Sequence, residues 1–330
     1  MKQLMLVLVV CLSLCACSTI DSFSIDTLRP SDVSFAPDVK RVAVLDNTVV
    51  LPEQSESKDD KRAPLAIEGR LVSEKLAGQV ANANYFEQVI VCDSLLRKGK
   101  AVMQGLLTPQ EVEELAQDLQ VDMLLAIDEA SVHTGTALLQ TEYSEGERLQ
   151  CVYGALSLDI HLYLPGRERP FQHFVDRDTI YWEADGLTVE QVKEDAVEYI
   201  SRLPVRHIVP QWKAVERTYY RGGTVNMRDA AVAVKEGDWD LACESWKADY
   251  DGRKGKSKMR AAFNLALCYE MKGDIRQALV YVREAKDLAV RHFGKDTSVD
   301  WIMIKAYEEE LQRQDMARQK LDLQMRRFGR

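Results

Sequence analysis

Apolar residues in the first part of the chain form short unbroken runs that alternate with stretches of helical spacing. Such runs make up most of residues 41–46 and 122–128, and a shorter one ends the segment 86–91. Short apolar runs of this kind are typical of strands buried on both faces. Apolar residues also recur at helical spacing from Leu65 to Val80, and a capping box with a proline at 108–111 predicts a second helix to about Leu119. Strands separated by helices predict a helix-covered sheet that contains parallel strands.

After residue 150 the pattern changes to strict alternation of apolar and polar positions. Residues 156–164 alternate in this way, turn-forming residues follow at 165–170, and 171–182 predicts the partner strand of an antiparallel hairpin. The remaining predicted elements are a capped helix from Thr188 to about Leu203, a strand at 212–220 and a hinge at 221–223.

The last hundred residues contain a repeat. Gly237-Asp238 returns 36 residues later as Gly273-Asp274, and each pair is followed by an alanine, Ala242 or Ala278. Glycine ends a helix readily, and small residues let two antiparallel helices pack closely. The pattern therefore predicts helical hairpins with tight turns, and a third, less regular pair at 298–328.

The unit from Asn264 to Ala285 resembles the tetratricopeptide repeat. The positions that carry the resemblance are Leu265, Ala266, Tyr269, Gly273, Ala278 and Ala285. A weaker form of the same pattern extends over about 105 residues. The resemblance implies an inner face that binds an extended peptide or a partner helix. The expected binding residues are Arg260, Phe263, Leu267, Glu270 and Met271 in this unit, and Met227, Ala231, Val234 and Lys235 in the preceding one. Alternatively, these apolar side chains pack inside the protein.

The chain begins with Lys2 and a 13-residue apolar stretch, 4–16. A membrane-spanning helix needs about 20 residues, whereas this length suits a cleaved secretory signal. Leu14-x-Ala16-Cys17 resembles the lipobox of bacterial lipoproteins, which implies cleavage before Cys17 and acylation of that cysteine. Cys15 fits less well because Leu14 would then occupy a small-residue position. A soluble secreted protein is the other alternative.

Ser18 follows the cysteine where enterobacterial lipoproteins kept in the inner membrane carry Asp. The resemblance therefore implies the outer membrane, with the soluble part in the periplasm and surface exposure as an open alternative. Several acyl chains on one cysteine would anchor the chain firmly.

The charge of the chain is uneven. Its 330 residues are 46% hydrophobic and 29% charged, with a formal net charge of −9. The balance is −13 from Cys17 to Gly222 and +3 from Gly223 onward. An acidic first part repels phosphate backbones, so we expect no nucleic-acid partner. The expected partners are the membrane, through the lipid, and a protein or peptide of the envelope.

Histidines on the predicted hairpin raise the question of a metal site. If Leu164 pairs with Phe171, His161 faces Phe174, and the rings of His161 and His173 lie on opposite sides of the sheet. On that register we expect no metal and no cofactor besides the lipid on Cys17.

Catalytic signatures of serine hydrolases, zinc proteases and nucleotide-binding loops are absent from the sequence. Asp128 and Glu129 end a predicted strand, where open α/β sheets bind ligands. Neighbouring strand residues point to opposite faces, so these two carboxylates are expected to be solvated separately rather than to form a catalytic pair.

Four cysteines follow Cys17, namely Cys92, Cys151, Cys243 and Cys268. None has a CxxC spacing, so burial as small hydrophobic residues is favoured. The periplasm permits disulfides, and whether Cys92–Cys151 or Cys243–Cys268 pair stays open.

The order of elements in the first domain resembles that of the curli-secretion channel subunit, the lipoprotein activators of penicillin-binding proteins and the amino-terminal domain of the Tol translocation protein. More closely, the chain resembles an uncharacterised bacterial lipoprotein family that joins such a domain to tetratricopeptide-like helices. The segments that carry this resemblance are Leu28-Arg29-Pro30, Glu216-Arg217-Thr218-Tyr219-Tyr220 and Gly237-Asp238-Trp239.

The predicted architecture is an α/β (or α+β) domain with a mixed sheet followed by an all-α domain of helical hairpins. The predicted segments are a signal peptide (1–16), a lipidated tether (17–37), the α/β domain (38–222) and the helical repeats (223–330). The expected function is a non-enzymatic adaptor or scaffold. The alternatives are a regulator of cell-wall synthesis or envelope assembly and an enzyme with an unrecognised site in the α/β domain.

Overall fold

The computed structural model describes residues 19–48, 65–92, 105–140, 148–293 and 298–328. The strands are β1 (Ile20–Arg29), β2 (Arg41–Asp46), β3 (Leu65–Ala66), β4 (Gln88–Cys92), β5 (Met123–Gln140), β6 (Arg148–Tyr163), β7 (Gln172–Glu183) and β8 (Gln211–Tyr220). The helices are α1 (Gly69–Asn82), α2 (Pro109–Leu119), α3 (Val189–Ile200), α4 (Val205–Ile208), α5 (Val225–Glu236), α6 (Trp239–Gly252), α7 (Gly255–Met271), α8 (Ile275–Phe293) and α9 (Val299–Met325), followed by a 3-10 turn (Arg326–Phe328). The predicted fold class, a mixed sheet followed by helices, is confirmed.

The chain divides into two compact units. The sheet unit comprises residues 30–211 and 323–328, and the helical unit comprises 19–29 and 212–322. The predicted boundary at 221–223 differs from this division because β8 pairs with β1 in a separate two-stranded sheet. Tyr219 and Tyr220, at the end of β8, are buried in the core of the helical unit.

The large sheet has the strand order β4-β2-β5-β6-β7, and β3 also pairs with β5. β2 is parallel to both β4 and β5, whereas β5–β6 and β6–β7 are antiparallel. Helices cover both faces near β2. Val42 and Val44 face the core that contains α1, α3 and α4, and Ala43 and Leu45 face the core that contains α2. Burial on both faces explains the unbroken apolar runs in the sequence.

Two of the predicted helix starts are confirmed in detail. Thr108 accepts a hydrogen bond from the Glu111 N–H, and the Glu111 carboxylate accepts one from the Thr108 N–H. Thr188 and Gln191 form the same reciprocal capping box at the start of α3. These caps hydrogen-bond to backbone N–H groups only a few residues away, so they can be predicted from the sequence alone.

The register of the β6–β7 hairpin differs from the predicted one by a single residue. Leu162 pairs with Gln172 and His161 pairs with His173, and the Phe171 N–H donates to the Leu162 carbonyl at 2.7 Å. The loop that joins the strands is therefore longer than the predicted turn. A one-residue shift moves every side chain of one strand to the other face relative to its partner.

The predicted tether is wrong for residues 20–29, which form β1. The Arg221 N–H donates to the Thr19 carbonyl, and the Thr27 hydroxyl donates to the Lys213 carbonyl, so β1 and β8 run antiparallel. Alternation of half-buried Phe23 with exposed neighbours is the strand signal in this segment.

The rest of the predicted tether belongs to the sheet unit. Val33 and Phe35 are buried in its core, and the Val33 N–H donates to the His207 carbonyl at 2.9 Å. Burial of these two apolar side chains removes the freedom that a tether needs.

The Gly-Asp repeat has a direct structural explanation. Gly237 and Gly273 both have φ of 77°, a left-handed conformation that suits glycine after a helix. The next residue, Asp238 or Asp274, then caps the following helix by accepting a hydrogen bond from a backbone N–H three residues ahead. One dipeptide thus ends a helix and begins its antiparallel partner.

A disulfide joins Cys243 on α6 to Cys268 on α7, with their Cα atoms 5.8 Å apart. The expectation that these two are unlinked small hydrophobic residues is therefore wrong, while Cys151 is buried in β6 as expected.

Within the described residues, none of the helices has the length and apolar character needed to cross a bilayer.

Candidate functional site

The predicted inner face of the helical repeats is closed by the chain itself. Most of its expected binding residues are buried in the helical core, namely Met227, Ala231, Val234, Phe263, Leu267 and Glu270. The β1–β8 strand pair and α9 contribute to the same core through Phe23, Tyr220 and Tyr307. The expectation of an open peptide-binding groove at these residues is therefore wrong, and the alternative of internal packing accounts for them.

Individual contacts show how the face is filled. The Phe263 ring packs against Tyr220 of β8 and Tyr307 of α9, with ring centroids 5.5 and 5.3 Å apart. The Arg260 guanidinium lies over the Tyr220 ring, 4.8 Å from its centroid. The β1–β8 strand pair therefore covers the inner face where the resemblance to the tetratricopeptide repeat predicts an extended ligand.

The two remaining residues of the expected surface lie at its margin. Met271 is half-buried and packs against the helical core. Lys235 is exposed, and its Nζ lies 3.6 Å from an Asp21 carboxylate oxygen on β1. An intramolecular strand therefore approaches even the charged rim.

A buried polar network fastens β8 to the helices. The Arg217 guanidinium donates to both carboxylate oxygens of Glu270, and the Tyr307 hydroxyl donates to Glu270 Oε2 at 2.6 Å. Gln314 Nε2 donates to Glu270 Oε1 at 2.9 Å. Burial next to the Glu270 charge raises the pKa of Tyr307 well above its usual value. Glu270, an expected partner-binding residue, is thus a structural acceptor.

Glu310 on α9 joins β1 to the same region. It pairs with Arg29 and lies 2.9 Å from the Arg313 guanidinium. Burial raises the pKa of Glu310, but hydrogen bonds from Arg29, Arg313 and Gln314 outweigh this effect and hold that pKa at about 2. The carboxylate therefore stays charged at neutral pH.

A second polar cluster lies in the sheet unit on β6 and β7. Because His161 and His173 are cross-strand partners, their rings stand on one face, stacked with centroids 4.1 Å apart and 5° between planes. Asp159 lies two residues before His161 and so shares this face. The expectation that the two imidazoles lie on opposite sides is therefore wrong.

Asp159 connects the two histidines. Its Oδ1 lies 2.7 Å from His173 Nε2 and 3.8 Å from His161 Nδ1. One carboxylate oxygen and one nitrogen from each ring all lie within 4.8 Å of one another. In the part of the chain that the structure describes, this is the one group of its kind that could hold a metal ion.

Asp128 completes the cluster from β5. The register of β5 against β6 shifts between Ile127 and Glu129, so Asp128 sits in a β-bulge. Its Oδ2 lies 2.8 Å from His161 Nδ1, and its Oδ1 accepts a hydrogen bond from the Asn47 amide at 2.6 Å. Glu129 is exposed and takes no part in these contacts. The expectation that both carboxylates are solvated at a strand end is wrong for Asp128, which is buried within β5.

Cys17, the expected lipidation residue, lies outside the described residues. The sequence also missed the Arg217–Glu270 network, although Arg217 lies in the Glu-Arg-Thr-Tyr-Tyr segment singled out above. The signal that could have found it is strand alternation, which places Arg217 on the same face as buried Tyr219, because buried charges need partners.

A comparison with known protein families identifies the family of the sheet-forming part of the chain. Residues 39–220 match the family described as Domain of unknown function (DUF8603). The chain belongs to this family. Residues 228–313 match a second family, Domain of unknown function (DUF6340). A comparison with curated proteins finds no match.

Solved structures with some similarity include two lipoproteins. A minor lipoprotein from Acinetobacter baumannii is 10% identical with a TM-score of 0.24, and the alignment covers 52% of this chain and 90% of that one. Rare lipoprotein B from Shewanella oneidensis is 14% identical with a TM-score of 0.21, over 50% of this chain and 90% of that one. These TM-scores are too low to establish a shared fold.

Proposed function

We propose that the chain is a lipid-anchored, non-enzymatic protein of the bacterial envelope that acts as a scaffold or adaptor for another envelope protein. Acyl chains on Cys17 hold it in the outer membrane, and its folded part lies in the periplasm. The observation that carries this proposal is the short stretch of chain between the lipobox cysteine and the folded helical unit.

Two residues separate Cys17 from Ile20, the first residue of β1. An extended chain spans at most about 3.6 Å per residue, so this connection reaches about 11 Å. β1 itself is fixed in the helical unit, where the Phe23 ring packs against Tyr219 and Trp239 at centroid distances of 6.0 and 5.3 Å. Acylation of Cys17 therefore holds the helical unit at the bilayer surface.

The closed inner face favours a scaffold over a receptor for extended peptides. A peptide could enter that face only by displacing β1 and β8, at the cost of the buried Arg217–Glu270 pair. A partner must instead bind an outer surface. Exposed apolar side chains on the outside of the helical unit include Val232, Val280 and Ile302.

The anchor is tested by membrane fractionation and mass spectrometry of the N-terminal peptide. Cys17→Ser should release the protein from the membrane fraction, whereas Cys15→Ser should leave it there. The wild-type N-terminal peptide should begin at Cys17 and carry the added mass of its acyl chains. Release by Cys15→Ser alone, or an unmodified Cys17 in membrane-bound protein, contradicts the proposal.

The scaffold role is tested separately by site-specific photo-crosslinking in cells. Crosslinkers at Val232, Val280 and Ile302 are compared with crosslinkers at Leu138 and Tyr181, which are exposed in the sheet unit. One envelope protein should be captured reproducibly by wild type from a subset of sites, and Cys17→Ser should abolish the capture. If no site captures a protein, or if capture is independent of the anchor, the scaffold role is wrong.

A further inference from the structure

The polar cluster on β5, β6 and β7 has the composition of a transition-metal site. We infer that Asp159, His161 and His173 bind one divalent transition-metal ion, best matched by Zn²⁺. The inference concerns the sheet unit alone and does not depend on the lipid anchor or the scaffold role.

The donor atoms are already close to the spacing that one ion requires. Zinc binds imidazole nitrogen and carboxylate oxygen at about 2.0–2.2 Å, so two ligand atoms on one tetrahedral ion lie about 3.4 Å apart. The distances from Asp159 Oδ1 to His173 Nε2 and to His161 Nδ1 are 2.7 and 3.8 Å. Shifts of less than about 1 Å and a rotation of the stacked rings bring both nitrogens onto a shared ion.

Of the two histidine rings, only that of His173 has room to rotate. The side chain of His173 is 47% exposed on edge strand β7, whereas that of His161 is 14% exposed. Without an ion, His161 Nδ1 faces Asp128, and Asp128 is oriented by the Asn47 amide. An ion that binds His161 Nδ1 takes the place of this hydrogen bond, and exposed His173 gives the ion a route in from solvent.

The charge of the cluster favours a cation. Within the described part of the chain, the ion-pair partners of Asp159 are the two histidines, with no lysine or arginine among them. Neutral imidazoles leave the Asp159 carboxylate without a compensating positive charge, and a divalent ion supplies one. Binding must therefore compete with protons for the histidines and weaken as pH falls.

The donor types select the class of ion. Two imidazoles with a carboxylate suit Zn²⁺ and neighbouring first-row transition metals, whereas Mg²⁺ and Ca²⁺ prefer sites built from oxygen alone. All three ligands lie on β6 and β7 of one sheet, which holds donors more rigidly than loops do.

The test is a metal titration of the mature, full-length protein in detergent after treatment with a chelator. Co²⁺ should give the visible absorption of a low-symmetry site with a stoichiometry of one, and Zn²⁺ should displace it. His173→Ala should weaken Zn²⁺ binding by at least about tenfold, since loss of even an outer partner of a ligand costs 10 to 100-fold. Asp159→Asn is the second ligand variant.

The matched control is His133→Ala, because His133 is an exposed histidine on β5 outside the cluster. Its Zn²⁺ affinity should equal that of wild type. Circular dichroism of each variant separates loss of a ligand from loss of the fold. The inference is overturned if wild type shows no saturable binding of Co²⁺ or Zn²⁺, or if folded His173→Ala and Asp159→Asn both bind Zn²⁺ like wild type.

Discussion

Arg217 on β8 and Glu270 on α7 form a two-point ion pair inside the helical unit. Arg217 Nη2 donates to Glu270 Oε1 at 2.7 Å, and Arg217 Nε donates to Glu270 Oε2 at 3.0 Å. The two residues are 6% and 8% exposed. A charge left without its partner in such a place is strongly destabilising, so this pair locks the strand pair onto the helices.

We expect Glu270→Ala to lower the free energy of unfolding by about 3 kcal/mol, because it leaves buried Arg217 with only a longer 3.5 Å contact to the Glu310 carboxylate. Urea denaturation followed by circular dichroism measures the effect. Glu309→Ala is the control, since Glu309 forms an exposed pair with Lys305 and should change stability by less than about 1 kcal/mol. Similar stabilities for the two variants would contradict the role assigned to Glu270.

His207 on α4 makes the stability of the sheet unit depend on pH. Its ring lies between Asp32 and Asp176 and stacks on Phe174 at a centroid distance of 4.3 Å, and Arg206 also pairs with Asp176. Burial lowers the pKa of His207, but hydrogen bonds and charges from Asp176 and Asp32 outweigh it and raise the pKa above its usual value.

Since the folded pKa of His207 lies above the unfolded value of about 6.5, its stabilising contribution is fully present below that pH. The contribution is lost as the pH rises through the folded pKa. His207→Gln should therefore cost about 2 kcal/mol at pH 6, the scale of a charged hydrogen bond, and much less at pH 9. Denaturation at both pH values measures this, and His133→Gln should show no such difference. A pH-independent loss would refute the assignment.

Gly154 on β6 has no room for a side chain. A Cβ at this position would lie 2.8 Å from the Trp182 ring, and Trp182 is itself held by a 2.9 Å hydrogen bond from Nε1 to Asp195 on α3. We expect Gly154→Ala to lower the free energy of unfolding by about 1–3 kcal/mol through overpacking. Gly78 in α1 has no atom within 4 Å of such a Cβ. Gly78→Ala should therefore stabilise the protein by about 0.5–1 kcal/mol, and equal effects at both sites would contradict the packing argument.

The disulfide between Cys243 and Cys268 closes a loop with a sequence separation of 25 residues. A cross-link of that span stabilises by about 3.5 kcal/mol in the chain-entropy treatment. Replacing both cysteines by serine should lower the Tm of the helical unit, whereas Cys151→Ala should leave the effect of a reductant unchanged. Non-reducing peptide mapping should recover the linked pair, and its absence from protein purified without reductant would contradict the bond.

Local signals explain which elements could be predicted. The capping boxes at Thr108 and Thr188 and the Gly-Asp turns at Gly237 and Gly273 act within four residues, so their sequence determines their structure. The apolar runs likewise predicted β2 and the start of β5, because burial on both faces of the sheet leaves no polar position between the ends of these runs.

Choices between distant segments could not be predicted in the same way. β1 has a strand-like alternation, but only the tertiary structure pairs it with β8 and lays both across the inner face of the helices. Pairing of this kind depends on buried contacts made by residues nearly two hundred positions apart.

The candidate metal cluster shows the same division. The sequence by itself determined that a hairpin carries His161 and His173, because alternation and turn residues are local properties. Its register, and the bulge that brings Asp128 beside His161, were decided only by how the whole sheet packs. A shift of one residue leaves the hydrophobic pattern of each strand unchanged while it moves a side chain to the opposite face. For this reason the sequence predicted the two imidazole rings on opposite faces of the sheet, whereas the structure places both on one face.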